Sequence, residues 1–354
     1  ETITNGHVFY KKLICLVDTK LLKKYFGEKF LKKESRFQSY DFVENFLSNN
    51  FEEYQKDKNT NTITDRYLVK LGKFSKEELA FLILHSGYIP DSYEHDSSEE
   101  TLHTKLTETL IYNWAKLIGF NNSKLPTQKS SYEDITISDK KNTIVCDAKS
   151  FRLGRSQKSP NVKDTIKLAD YEKWLDKYGK QGLGGLITFP SLHDWKKGSD
   201  VYQYVSNPDK KVLLLFYEHI SFFLISNYKS KNLVDLINDY PNLFKGKSND
   251  RSKYWGQIIK NLFEDKVKEF KEFDKLAKFI NEENVKYKKK FLENNIIKAK
   301  KEIESLFKKY KKIDKLIEEI TDTDSQISDK LFYNVKIIKH NKVTVDRIEK
   351  FRIE

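Results

Sequence analysis

Between residues 130 and 150 the hydrophobic pattern changes period. On either side apolar residues recur every three or four positions, the spacing of an amphipathic helix. Here Ile135 and Ile137 alternate with polar neighbours, Ser138 to Asn142 is a turn cluster, and Thr143 to Cys146 is a short apolar run leading into Asp147-Ala148-Lys149. Alternation around a turn cluster reads as a β-hairpin. Further strands are expected at Gly185–Thr188 and Val212–Tyr217, the latter an unbroken apolar run suited to burial on both faces. A helix over about Ile166–Tyr178 precedes both, Ile220–Ile225 reads as another strand or the start of a helix, and Gly182, Gly184 and Gly185 read as a turn before a strand.

The remainder reads as helix. Leu21, Leu22, Tyr25, Phe26 and Phe30, then Phe42, Phe46, Phe51 and Tyr54, keep helical spacing. Ser75 and Glu78 form a capping-box signal before Leu79, Leu82, Ile83 and Leu84. Ser97 or Ser98 caps a helix over about Glu99–Gly119 with Leu102, Leu106, Leu110, Trp114 and Leu117 as its buried stripe. From Tyr254 to about Ile320 runs a charged helical arm or bundle, and partial alternation (Val335 and Ile337, then Val343 and Val345) suggests a terminal hairpin in 331–354. The fold class is therefore α/β (α+β): a mixed β-sheet core over 91–235, flanked by a helical N-terminal region (1–90) and a long helical C-terminal region (236–354).

Composition narrows the function. No run approaches the 18 or so apolar residues of a membrane span, and Glu1 to Tyr10 does not read as a secretory signal. Cys15 and Cys146 are too few for a disulfide framework or a four-cysteine zinc site, so a cytoplasmic setting is expected. The seven histidines show no zinc spacing. A net charge of +13 points to a polyanionic partner. Lysine makes up 58 of the 65 basic residues, so solvated lysine-rich faces account for much of it.

Side chains on a strand alternate, so Asp147 and Lys149 project from one face. If the hairpin closes around residues 140–141, Asp134 lies opposite Asp147, and two carboxylates and an ammonium converge at one end of a sheet. A salt bridge at a strand end would account for the pair without chemistry. Phosphodiester hydrolysis needs the same inventory: carboxylate oxygens for hard Mg²⁺, which keeps several waters, and a lysine to orient water or stabilise charge. Two of the seven arginines, Arg152 and Arg155, follow Lys149 within six residues, with Ser150 and Lys158 in the same basic stretch. Arginine suits bidentate contact with phosphate or a guanine edge. Glu99 and Glu100 open the preceding helix, where either could reach the metal or simply favour the helix N-terminus.

The chain resembles the HindIII family of type II restriction endonucleases, within the PD-(D/E)XK nuclease superfamily. The likeness is most specific at Val145-Cys146-Asp147-Ala148-Lys149-Ser150-Phe151-Arg152-Leu153-Gly154-Arg155 and continues at 85–90, 97–105 and 212–219. It implies a restriction-endonuclease-like mixed sheet flanked by helices, a homodimer, and Mg²⁺-dependent cutting of both strands of double-stranded DNA at a short palindromic site. By motif position Asp134 and Asp147 would be metal ligands, Lys149 the catalytic lysine, and Glu100 the helix carboxylate, with Glu99 its competitor. Glu133 stands where the superfamily pattern has proline. A nuclease of another role, in repair or junction resolution, and a non-catalytic nucleic-acid-binding protein are the rival readings. A duplex has two antiparallel strands and one such site serves one of them, which favours a dimer. The stripe with Phe263, Phe270, Phe291 and Phe307 offers interface material.

Overall fold

The computed structural model describes residues 19–126, 132–154, 166–246, 248, 250–309 and 325–352. Helix α1 (19–26) is followed by α2 (Lys33–Tyr40), α3 (Phe42–Asp57), α4 (Thr60–Leu71) and α5 (Lys76–Ser86). The capping box at Ser75 and Glu78 is formed in both directions. α5 is buried from Leu79 to Ser86 on every side, with Phe81 stacked on Phe30 at 4.1 Å. Strand β1 (Tyr88–Ile89) leads to α6 (Ser98–Ile118), which Ser97 caps by accepting the Glu100 amide and which Gly119 ends at a φ of 116°. Leu102, Leu106, Leu110 and Trp114 are buried as expected. Leu117 is not: it is 48% exposed, and Ile118, four residues after Trp114, closes the stripe.

The sheet is where the period change placed it. β2 (Ile135–Ser138) and β3 (Thr143–Ala148) form an antiparallel hairpin in which Ile135 faces Cys146 and Ser138 faces Thr143. Asp139 makes the turn by accepting the amides of Lys141 and Asn142 at 2.7 and 2.8 Å. β4 (Phe151–Arg152) follows, and Phe151 donates to the Gly87 carbonyl. Helix α7 (Leu168–Asp176) is the crossover to β5 (Gly182–Phe189), which runs parallel to β3. α8 (Val201–Val205) precedes β6 (Val212–Phe216), parallel to β5, and the four-stranded order is β2-β3-β5-β6. The mixed sheet with flanking helices is thus the fold.

Several local expectations are corrected. The glycine cluster lies inside β5, not in a turn before it. Its lack of side chains admits neighbours: a Cβ on Gly185 would lie 2.5 Å from the Tyr171 ring, and one on Gly184 would lie 2.6 Å from the Lys211 carbonyl oxygen. The strand expected to end at Tyr217 ends at Phe216, and of the two readings of Ile220–Ile225 the helical one holds: Tyr217 to Ile225 is a helix, α9, buried from Tyr217 to Leu224 and bonded to α5 through Ser221 and the Ala80 carbonyl. After α10 (Ser230–Asn238) and α11 (Tyr240–Leu243), the charged region is two helices, α12 (Arg251–Phe263) and α13 (Val267–Lys309), separated by a short turn where Glu264 adopts a φ of 29°. Residues 325–351 form one helix, α14 (Ser325–Phe351), not a hairpin. Its buried positions, Asn334, Asn341, Thr344 and Ile348, follow helical spacing, whereas Val335 and Val343 are 48% and 44% exposed.

The chain divides into two compact units: one comprises residues up to Ile89, Tyr93–Phe151 and Lys158–Asn281; the other comprises Pro90–Ser92, Arg152–Gln157 and Glu282–Glu354. The first holds the N-terminal helices together with the sheet. In the second, α14 runs beside the distal part of α13, with Lys289 paired to Glu349 at 2.7 Å and Asn341 donating to the Leu292 carbonyl at 3.5 Å.

The packing at Gly185 makes a test. Gly185→Ala should destabilise the chain by about 1–3 kcal/mol in urea unfolding, the usual cost of overpacking a core, because the new methyl displaces Tyr171.

Candidate active site

The hairpin register delivers Asp134 and Asp147 to adjacent places. Ile135 pairs with Cys146, so the residue before β2 faces Asp147. The Asp134 carboxylate accepts the Ala148 amide at 2.9 Å, which fixes it across the hairpin. The two carboxyl groups thus face each other across the hairpin, near enough for the charge of Asp147 to act on Asp134. Asp147 is buried, at 7% exposure. One of its oxygens receives the Tyr171 hydroxyl at 3.1 Å and the Lys149 ammonium at 2.6 Å. Tyr171 gets there because α7 lies against β5 over the bare Gly185 backbone. The Lys149 amide is held in turn by the Thr188 carbonyl of β5 at 2.9 Å, while its side chain remains part-exposed.

The electrostatics follow from this crowding. Burial pushes the Asp134 carboxyl well above the usual aspartate range, the charges of Asp147 and Glu108 push it further, and Lys149 opposes them. Two carboxyls this close with little water cannot both ionise cheaply. Burial, with the negative charge of Asp147, also drives the Tyr171 hydroxyl well up, so it stays a donor. The Cys146 thiol is raised well above its usual range by burial and by Asp134 and Asp147, which leaves it inert as a nucleophile.

A cavity of about 470 Å³ reaches Asp134, its wall including Glu100, Thr104, Lys105, Glu108 and Glu133. Glu100 is therefore near the pair, but its carboxylate accepts the Asp96 amide at 2.7 Å in a capping role. Glu99 exerts its charge on Tyr93. Glu108, eight residues and roughly 12 Å further along α6, is the helix carboxylate whose charge reaches Asp134. It is buried at 8% exposure and paired with Lys105 at 2.8 Å. Glu133 is buried too. One of its oxygens takes the Thr136 hydroxyl at 2.7 Å and the Tyr178 hydroxyl, and the other makes no hydrogen bond. Arg152 donates to the Pro90 carbonyl at 3.3 Å, and the Ser150 hydroxyl oxygen is buried with no partner. Arg155 and Lys158 lie outside the described residues.

Sequence reasoning missed Glu108 and Tyr171. Glu108 carried a usable signal: it is the one acidic residue in α6 beyond the first turn, and it shares a face with Glu100 and Thr104. Tyr171 carried none, because its contact is made across the crossover, 24 residues from Asp147.

A family model described as HindIII restriction endonuclease matches residues 53–322. The chain belongs to the HindIII restriction endonuclease family. It is accordingly a nuclease with DNA as its substrate class, and the match embraces Asp134, Asp147, Lys149 and Glu108 alike. No curated protein sequence matches the chain. Among the described residues no helix is long and apolar enough to cross a membrane.

Among the described residues no cluster of three or more His, Cys, Asp or Glu side chains is set to hold a metal ion. The Asp134–Asp147 pair nevertheless suits a hard divalent cation. It offers carboxylate oxygens alone, Mg²⁺ is commonly held by one or two carboxylates with waters completing its shell, and a cation would relieve the repulsion that raises Asp134.

A carboxyl whose folded pKa is raised binds its proton more tightly in the folded state, so stability falls as pH climbs from the ordinary aspartate range through the raised value. Asp134→Asn should therefore stabilise the metal-free protein at pH 8 by at least roughly 2 °C in melting temperature, the shift that about 1 kcal/mol produces in a large domain. At pH 4 the gain should vanish. A melting temperature for Asp134→Asn at or below wild type at pH 8 would mean that the pair is not under strain.

Proposed function

We propose that the chain is a type II restriction endonuclease that acts in the cytoplasm as a homodimer. It hydrolyses one phosphodiester bond in each strand of double-stranded DNA at a short palindromic site, with Mg²⁺ as cofactor. The observation that carries this reading is the hairpin register that sets Asp134 opposite Asp147, with the Lys149 ammonium paired to Asp147. Asp134 and Asp147 would hold the ion, with Glu108 or Glu100 adding negative charge from α6. When bound, Mg²⁺ neutralises charge on the scissile phosphate and acidifies an attacking water.

The chain's own groups supply the rest. The Ala148 amide and the Tyr171 hydroxyl each hold one carboxylate in a fixed direction. Lys149, anchored at its base by Thr188 and at its tip by Asp147, presents N–H donors to a water or to the charge that builds on the phosphate. The excess of lysine over acid draws in the duplex. A second copy serves the second strand, because one site cuts one bond at a time. Phe291 and Phe307, 51% and 47% exposed, support an interface on the C-terminal helices, whereas Phe263 and Phe270 are buried and unavailable to it.

With Mg²⁺ and a plasmid of known sequence, the wild type should give discrete fragments whose ends define the site. Asp147→Ala should give none. Lys149→Ala should lower kcat by roughly 100- to 1,000-fold, the usual loss when a charge-stabilising donor is removed, while binding in Ca²⁺ changes little. Tyr171→Phe should lower kcat by about 10-fold, as expected for one hydrogen bond. Full cutting by Asp147→Ala would remove the assignment.

A further inference from the structure

A buried charged cluster stands behind the strand that seats Lys149. β5 ends at Phe189, and a single 3₁₀ turn, Leu192–Asp194, follows. Ser191 caps that turn and donates to the Glu218 carboxylate at 2.5 Å, while the other Glu218 oxygen accepts the Leu192 amide at 3.4 Å. Glu218 lies in the first turn of α9 and is wholly buried. On the 3₁₀ turn itself, His193 Nε2 lies 3.2 Å from an Asp274 oxygen of α13. Asn281, seven residues further along that helix, donates to the Ser191 hydroxyl at 3.4 Å. Tyr88 of β1 holds the last residue of the turn by donating to Asp194 at 3.0 Å. All these residues belong to the first compact unit. The clamped end of β5 reaches the candidate site in two ways. The Thr188 carbonyl accepts the Lys149 amide at 2.9 Å, and the Phe189 ring stacks on that of Phe151 at 5.4 Å.

We propose that Glu218, with His193 and Asp274, is a positioning group for Lys149: it clamps the turn that closes β5, and the end of β5 sets the backbone from which the lysine reaches Asp147. Lys149 is catalytic on the endonuclease reading, and this role rests on that reading. Stability is a weak reason for such a cluster, because replacing a buried ion pair by apolar residues of similar volume is often neutral or stabilising. The clamp also has a protonation state. Burial pushes the Glu218 carboxyl up to about 7, against the positive charge of His193 and with the negative charge of Asp274. Burial disfavours a charged His193, but its bond to Asp274 and the charge of Glu218 raise it overall, and the same bond holds the buried Asp274 below the usual range. His219, beside Glu218 on α9, is pushed down to about 3 by burial and stays neutral. Arg251 of α12 acts on His193 and Asp274, and α5 meets α9 through the uncharged Ser221. Ionised Glu218 accepts from Ser191 and Leu192 together, whereas protonation turns one oxygen into a donor. The clamp is therefore complete above pH 7 and weakened below it.

Hydrogen exchange at the Lys149 amide, corrected for its intrinsic pH dependence, tests the clamp in the full, metal-free chain. Protection in the wild type and in Glu218→Gln should be equal at pH 6. At pH 8 the wild type should be about 10-fold better protected, the scale of one hydrogen bond to a charged group. His193→Gln alters a part-exposed side chain and removes the charge that opposes the Glu218 proton, so the midpoint of Lys149 protection should move to higher pH. A side chain that served packing alone would change protection without moving a midpoint. With Mg²⁺ at pH 8, Glu218→Gln should lower kcat for plasmid cutting by roughly 10- to 100-fold, the cost of a misplaced catalytic group, with KM unchanged. Equal protection of wild type and Glu218→Gln at pH 8, a midpoint unmoved in His193→Gln, or wild-type kcat in Glu218→Gln overturns the proposal. The two readings fail separately: a wild type that never cuts removes the endonuclease reading, and an unmoved Lys149 midpoint in His193→Gln removes the clamp whether or not the protein cuts.

Discussion

The placing of two carboxyl groups, Asp134 and Asp147, opposite each other at the end of a hairpin is the constraint around which the sheet is organised. Burial and mutual repulsion raise Asp134, and the surroundings are arranged to tolerate this. An amide across the hairpin holds one carboxylate, and a tyrosine hydroxyl and a lysine hold the other. The partners come from three pieces of chain. Ala148 and Lys149 come from the end of β3, Tyr171 comes from the crossover helix, and the Thr188 carbonyl that seats Lys149 comes from β5. The parallel pairing of β3 with β5 is therefore what completes the site. The hairpin alone would supply the acids without their supports.

The same arrangement explains the glycines of β5. A strand buried on both faces normally gains from β-branched side chains, yet β5 begins with three glycines in four residues. Space for the Tyr171 ring and for the Lys211 backbone takes precedence over strand propensity there. The crossover helix thereby approaches the sheet closely enough for a tyrosine to reach a carboxylate on the next strand.

Much of this was legible in the sequence, for reasons that differ by element. The hairpin was readable because side-chain alternation has a period of two and Asp139 to Asn142 is a turn, and the register then put Asp134 opposite Asp147 without further information. The aromatic N-terminal helices were readable from their 3–4 spacing. The C-terminal helix was not, because three of its buried positions are Asn334, Asn341 and Thr344. A stripe carried by polar residues has no hydrophobic period, while the valines that suggested strands point outward. At the head of α6 the sequence singled out the acids at the capping position, where Glu100 does cap the helix. Glu108 acquires its role only when α6 and the hairpin are brought together.

The central claim is that Asp134, its carboxyl raised by burial and by the charge of Asp147, holds a proton in the metal-free protein and exchanges it for a divalent cation. Calorimetric titration of Mg²⁺ into the DNA-free wild type, repeated in buffers of different ionisation enthalpy, counts the protons released on binding. The account predicts release of about one proton per ion near neutral pH in the wild type and none in Asp134→Asn. Mg²⁺ binding with no proton release in the wild type, or unaltered binding in Asp134→Asn, would contradict it.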